Sequence, residues 1–303
     1  MTKSTMCGLG AGVLPILAIV AAGCGNGRPT GRGNPDGSVV DGPDAAQRQD
    51  GGPLVDCTER ARWVYVVDSD DLLMRFQPDT LSFTPVGTLA CAADGSSPFS
   101  MSVDRDATAW VLYQNGRIYH VSTLDAACSP TAFEPSQLGF EVFGMGFVAD
   151  VEGGSAESLF VAGGSSASIA SGSSTLGRID TTTLRVSGVG SLPGWPELTG
   201  TGNAALWAFM PDTVPPSVRR LDKSNAASLD VFDLDALGTV RPSAWAFAFW
   251  GGRFYVFLQA ATDTSTNVWR LDGDGSAFTE ALHDTGYRIV GAGVSTCAPV
   301  ELI

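Results

Sequence analysis

From Trp63 onward, short runs rich in Val, Phe, Tyr, Trp and Thr alternate with turn signals such as Asp-Gly, Asn-Gly and Gly-Gly. No stretch sustains a 3.6-residue period with helix caps, so the pattern predicts an all-β domain. The runs also repeat. Five leading segments carry small residues at alternate positions: PFSMSVD (98–104), FGMGFV (143–148), ELTGTGN (197–203), AWAFAFW (244–250) and IVGAGVS (289–295). A strongly apolar strand goes with each unit, at 63–68, 109–113, 158–164, 205–209 and 253–258. A third strand ends near Arg, Asp or Thr, at 72–80, 117–125, 176–184, 217–223 and 267–275.

With Ser102, Gly146, Thr201, Ala248 and Gly293 as markers, the spacings are 44, 55, 47 and 45 residues. The long interval contains the Gly/Ser-rich stretch 163–175, expected to be a surface loop. A period of about 45 with three or four strands per unit resembles β-propeller blades, whose leading strands converge on an axis where bulky side chains would collide. The first unit lacks a leading strand and the last segment lacks a second one. Strand 289–295 is therefore expected to complete the first blade and close a five-bladed ring. An irregular β-sandwich is the alternative.

The N-terminus has a different pattern. One Lys precedes an apolar run from Gly8 to Ala22, followed by small residues, which is the plan of a secretory signal. The run is too short to span a bilayer comfortably, and Pro15 weakens it as a helix. The string Val20-Ala21-Ala22-Gly23-Cys24 resembles the bacterial lipobox. That resemblance implies cleavage before Cys24, acylation of its thiol and new N-terminus, and, with Gly25 following, sorting to the outer membrane. Residues 25–56 are rich in Gly, Pro and Asp, cannot bury enough surface to offset ordering entropy, and read as a flexible tether. The expected organisation is a signal over 1–23, a lipidated Cys24 with tether over 24–56, and a propeller over 57–303.

Charge narrows the partners. The chain of 303 residues carries a net charge of −14, so it has no basic footprint for nucleic acid, and membrane attachment must come from a lipid or a hydrophobic segment rather than a basic surface, the N-terminal lipid being the expected one. An unknown protein or glycan is the expected partner and a monomer the expected state. Cys57, Cys91, Cys128 and Cys297 follow the signal, and in an exported chain they imply two disulfides with three possible pairings. The blade order selects Cys57–Cys297 at the ring seam and Cys91–Cys128 between neighbouring units.

Candidate chemistry is sparse. His120 lies in a third strand and His283 in a polar turn region, neither beside a nucleophile motif. Asp272 and Asp274 begin like a calcium loop but lack its later ligands and read first as a hairpin turn, with Ca²⁺ the lesser reading. Asp68, Asp70 and Asp71 read as a plain turn. Glu197 and Asp104, near leading strands, are the carboxylates an envelope hydrolase or lyase would have to use. Trp195, between Pro193 and Pro196, is expected to be exposed. Trp63, Trp110, Trp207 and Trp269 are expected in the core, and Trp245 and Trp250 near a channel mouth. No catalytic set or cofactor is assigned, which favours a non-enzymatic binding or scaffold role, with an envelope hydrolase or lyase and a calcium-dependent adhesion module as alternatives. The strings ELTGTG (197–202), AWAFAFWGGRFYVF (244–257) and VGAGVSTCAP (290–299) resemble those of uncharacterised β-propeller lipoproteins of the myxobacterial type, a resemblance that implies location and fold and brings no catalytic residues.

Overall fold

Small residues at alternate positions let five strands approach one axis. The computed structural model describes residues 57–239 and 241–301, and within them five four-stranded antiparallel sheets form a closed five-bladed β-propeller. In the first blade, β20 (Ile289–Gly293) lies innermost, followed by β1 (Val64–Asp68), β2 (Leu72–Gln77) and β3 (Ser82–Thr88). The second blade runs outward as β4 (Pro98–Val103), β5 (Thr108–Tyr113), β6 (Ile118–Ser122) and β7 (Cys128–Pro130). The third is β8 (Val142–Ala149), β9 (Glu157–Gly164), β10 (Ser173–Ile179) and β11 (Val186–Pro193). The fourth is β12 (Glu197–Gly200), β13 (Leu206–Met210), β14 (Ser217–Leu221) and β15 (Ser228–Asp233). The fifth is β16 (Pro242–Trp250), β17 (Arg253–Ala260), β18 (Asn267–Asp272) and β19 (Phe278–Leu282).

The innermost strands run parallel around the axis, and glycine sets their spacing. A Cβ on Gly291 or Gly293 would lie 2.9 Å from backbone atoms at 101 and 102, and one on Gly144 would lie 2.5 Å from the Pro196 carbonyl oxygen. Such distances leave no room for a side chain without moving a strand.

The core is divided among the blade interfaces. Five apolar clusters each combine strands of adjacent blades. Between the fifth and first blades, Phe76 packs with Phe83, Tyr255 and Phe257 at ring separations of 5.1, 5.4 and 5.2 Å. Burying each such ring contributes about 1.5–3 kcal/mol. The ring is thus held blade against blade, and the seam between the last blade and the first is packed like the others.

The fourth strands were not located in the sequence because they bury little. β3, β15 and β19 have no fully buried position, β7 has three residues, and Pro85 and Pro130 interrupt the apolar pattern. The stretch 163–175 is also not a surface loop. β9 runs to Gly164, a short helix α1 (Ser166–Ala170) caps the hairpin, and β10 begins at Ser173. Gly163 is packed against Val142 and Phe143, so its lack of a side chain serves close packing rather than flexibility.

Cys57 is bonded to Cys297 and Cys91 to Cys128, with sequence separations of 240 and 37 residues. The first bond covalently joins the segment preceding β1 to the segment following β20.

Gly144→Ala should destabilise the protein by about 1–3 kcal/mol through overpacking at the axis. Gly188→Ala, where a Cβ meets nothing within 4 Å, should lie within about 1 kcal/mol of wild type. Denaturant titration of the two variants checks this. Cys57→Ala with Cys297→Ala should cost about 2–5 kcal/mol by the same assay.

Candidate functional site

An innermost strand pairs on one side only, so its other edge presents N–H groups to the axis that need acceptors. Side chains of neighbouring innermost strands supply them. Ser102 Oγ accepts from Phe147 N at 2.9 Å, and Thr199 Oγ1 accepts from Phe249 N at 3.1 Å. Glu197 Oε1 accepts from Met145 N at 3.0 Å and from Ser100 Oγ at 2.7 Å. Glu197 is 2% exposed. Burial pushes its carboxyl up to about 8 against the opposing hydrogen bonds, so it holds its proton at neutral pH. Buried polar side chains thus bridge neighbouring innermost strands at the axis.

One end of the ring is also closed. Val294–Ala298 follows β20 and is buried throughout. Ser295 Oγ donates to the Ala61 carbonyl at 2.6 Å, and Cys297 is bonded to Cys57 in front of the first blade. Thr296 Oγ1 accepts from Arg105 Nη1 of the second blade at 3.0 Å and donates to Glu157 Oε2 of the third at 2.7 Å. Its carbonyl lies where a Cβ on Gly202 of the fourth blade would go, and Pro299 O accepts from Gly251 N of the fifth at 2.8 Å. With Pro299, this segment thus touches the stretch before β1 in the first blade and the junction of first and second strands in the other four, and acts as a plug. Arg105 and Glu157 brace it. Arg105 N donates to Glu157 Oε1 at 2.9 Å, and Arg105 Nη2 lies 3.3 Å from Cys57 Sγ. Desolvation pushes Glu157 up to about 7, opposed by the bonds from Thr296 and Arg105.

An open concavity lies between the fourth and fifth blades, at the same end. This cleft of about 930 Å³ has Trp207, Phe232 and Phe249 at its floor and Arg220, Arg253, Asp230, Asp272, Asp274 and Glu301 on its walls. Trp207 and Phe232 stack at 5.6 Å. Arg220 Nε pairs with Asp230 at 2.5 Å and Arg253 Nε with Asp272 at 3.1 Å. A smaller cleft of about 490 Å³ between the third and fourth blades shares Asn203, Ala205 and Arg220 with it. The two form one groove around the fourth blade.

The residues singled out in the sequence fall in separate places. Asp104 Oδ1 accepts from Asp106 N and Thr108 N in the β4–β5 turn, and its Oδ2 accepts from Trp110 Nε1 at 2.9 Å. Burial raises its carboxyl. His120 packs on Trp110 at 4.2 Å between ring centroids, and burial lowers its imidazole. His283 is exposed, 2.6 Å from Glu280, which raises its imidazole. Asp68 Oδ1 caps its turn through Asp70 N and Leu72 N. Asp272 faces Arg253, and Asp274 Oδ1 accepts from Ser276 N in a hairpin turn. Among the described residues no three metal-ligating side chains converge.

Trp195 is not exposed. It is 5% accessible, and its backbone N–H donates to both carboxylate oxygens of Asp212, which draws it inward. Trp110 and Trp207 lie in the core, whereas Trp63 and Trp269 are only partly buried, Trp63 beneath the Arg75 guanidinium. Trp250 faces the plug, donating to Arg62 O at 2.8 Å, and Trp245 packs at the edge of the cluster between the fourth and fifth blades. Cys24 and the tether over 25–56 lie outside the described residues.

A repeat missed in the sequence appears in the register. In every blade an aromatic residue on the second strand stands opposite a basic one on the third: Tyr65 and Arg75, Trp110 and His120, Phe160 and Arg178, Trp207 and Arg220, Tyr255 and Arg270. Alignment of the five units would have exposed it. Nothing in local sequence links Arg105 or Glu157 to Thr296, which lies 191 and 139 residues away from them.

No family model and no curated protein matches the chain. Three solved structures are distant likenesses. A nidogen/laminin complex has a TM-score of 0.46 at 15% identity, covering 78% of this chain and 81% of that one. A protein of unknown function from Bacteroides caccae has a TM-score of 0.46 at 11% identity, covering 76% and 97%. TolB from Acinetobacter baumannii has a TM-score of 0.43 at 14% identity, covering 73% and 52%. These likenesses carry no argument about function, and the class of the protein, a five-bladed β-propeller, rests on its own sheet order.

Glu197 and Glu157 have folded pKa values above their ordinary 4.5, at about 8 and about 7. The native state therefore holds protons that the unfolded chain releases between 4.5 and those values, and stability falls as pH rises through that window. The turn caps Asp125, Asp180, Asp222 and Asp274 are shifted downward by the hydrogen bonds they accept, so their contribution is lost only as pH falls below their ordinary 3.8. Thermal stability should peak in mild acid and decline toward pH 9. Glu197→Gln should match wild type at pH 5 and exceed its Tm at pH 9. A parallel decline in both proteins would refute the assignment.

Proposed function

We propose that this protein is an exported lipoprotein, anchored to the outer membrane through acylated Cys24, whose propeller is a non-enzymatic binding or scaffold module held out on the 25–56 tether. The signal-like N-terminus and its lipobox resemblance support the anchor. So does the resemblance of 197–202, 244–257 and 290–299 to uncharacterised myxobacterial-type propeller lipoproteins.

The binding role rests on one observation above the others. The carboxylates near the axis, buried Glu197 and half-buried Asp104 and Glu157, are each engaged by two or more protein hydrogen bonds, whereas the groove around the fourth blade stays open with an aromatic floor and charged walls. A general acid or base must reach substrate. These three are spent on strand edges, a turn and the plug. A rigid ring with an open cleft suits recognition by shape and charge.

Metabolic labelling with radioactive palmitate should mark the wild-type protein and place it in the outer-membrane fraction. Cys24→Ala should abolish both the label and the membrane association. Envelope polysaccharides and peptides incubated with the purified protein should remain uncleaved. Product formation that disappears in Glu157→Gln would replace this reading with a hydrolase or lyase.

A further inference from the structure

Resting on the binding role proposed above, we infer that the groove between the fourth and fifth blades receives an extended polypeptide segment through a Lys or Arg side chain. The walls of the larger cleft carry Arg220 and Arg253 against Asp230, Asp272, Asp274 and Glu301, two positive charges and four negative, for a net of −2. Both arginines already have partners within the protein, Asp230 and Asp272. Asp274 and Glu301 lack an opposing cation among the described residues. Asp274 accepts from the side chain and the backbone N–H of Ser276 and is otherwise exposed to solvent.

The floor suits a cation better than a sugar. Sugar stacking needs a bare aromatic face, but Phe232 has Trp207 against it on one side, and the Cβ position of Gly275 lies 2.5 Å from its ring. Trp207 and Phe249 are each 8% exposed. What these rings offer is a desolvated wall, where the methylene stem of Lys or Arg packs while its charged head meets the two carboxylates.

The shape calls for an extended chain rather than a small amine. The cleft continues past Asn203, Ala205 and Arg220 into the smaller one beside the third blade. Between them runs β15, the outermost strand of its sheet, with Leu229 and Val231 52% and 47% exposed. The outermost strands of the first and second blades are less suited to pairing, since β3 contains Pro85 and β7 has only three residues. A segment lying along β15 can pair with its free edge and drop a basic side chain into the larger cleft.

The test uses the full-length protein and three probes: a short fluorescent peptide alternating Lys and Thr, its Glu-Thr counterpart, and neutral cellohexaose. The Lys-Thr peptide should bind, weaken with added salt, and lose about tenfold in affinity with the pair Asp274→Asn and Glu301→Gln. Glu134→Gln with Glu152→Gln removes the same charge elsewhere and should leave affinity unchanged. Equal loss in both double variants would show that only the overall acidic field attracts the peptide, and would overturn the inference. Binding of cellohexaose that survives Asp274→Asn and Glu301→Gln but is lost in Phe232→Ala would overturn the cationic peptide while keeping the cleft as a binding site. Binding of none of the three probes would overturn the inference, and the binding role would then stand or fall on the envelope assays alone.

Discussion

Everything in this molecule depends on bringing five strands edge-on to a common axis without leaving their inward N–H groups unpaired. Two constraints meet there. Backbones must come close enough that Gly144, Gly291 and Gly293 tolerate no side chain. The polar groups so enclosed still need acceptors, because a buried unpaired amide costs as much as a lost hydrogen bond. Ser102, Thr199 and Glu197 meet the second demand with side-chain oxygens that reach across to the neighbouring strand. The protonated state of Glu197 follows. An acceptor was needed in a place too dry for an anion.

The same economy explains where recognition is possible. With one end plugged by residues 294–298, the central channel that lends many rings their binding site is closed at that end. An open groove lies instead between blades, on either side of the fourth. The fourth and fifth blades leave the larger gap, its floor sealed by Trp207 against Phe232 and its walls lined with charge.

Much of the architecture was legible in the sequence because its physical causes are local. Alternating small residues announced the innermost strands, and the orphan segment 289–295 announced ring closure. Blade order then sufficed to pair Cys57 with Cys297 and Cys91 with Cys128. Outer strands were illegible because solvent accepts almost any residue on them, and Pro85 or Pro130 disguises them as turns. Trp195 misled because flanking prolines resemble a loop tip, whereas Asp212 on another hairpin draws its backbone inward. The plug was invisible for a different reason. Arg105, Glu157 and Thr296 meet only when the ring exists, and no local pattern marks residues whose partners lie more than a hundred positions away.

Closure by the last strand also orders the folding of the chain. Until 289–293 emerges, β1 has a bare edge lined by residues that end up buried, which is the kind of surface that captures stray strands. Cys57 waits beside it as a free thiol. Among the described cysteines able to compete for it, Cys91 and Cys128 are only 37 positions apart and belong to consecutive blades, so they can join each other early. That local bond does more than staple two blades. By taking both rivals out of play, it keeps Cys57 for a partner that is made 240 residues later.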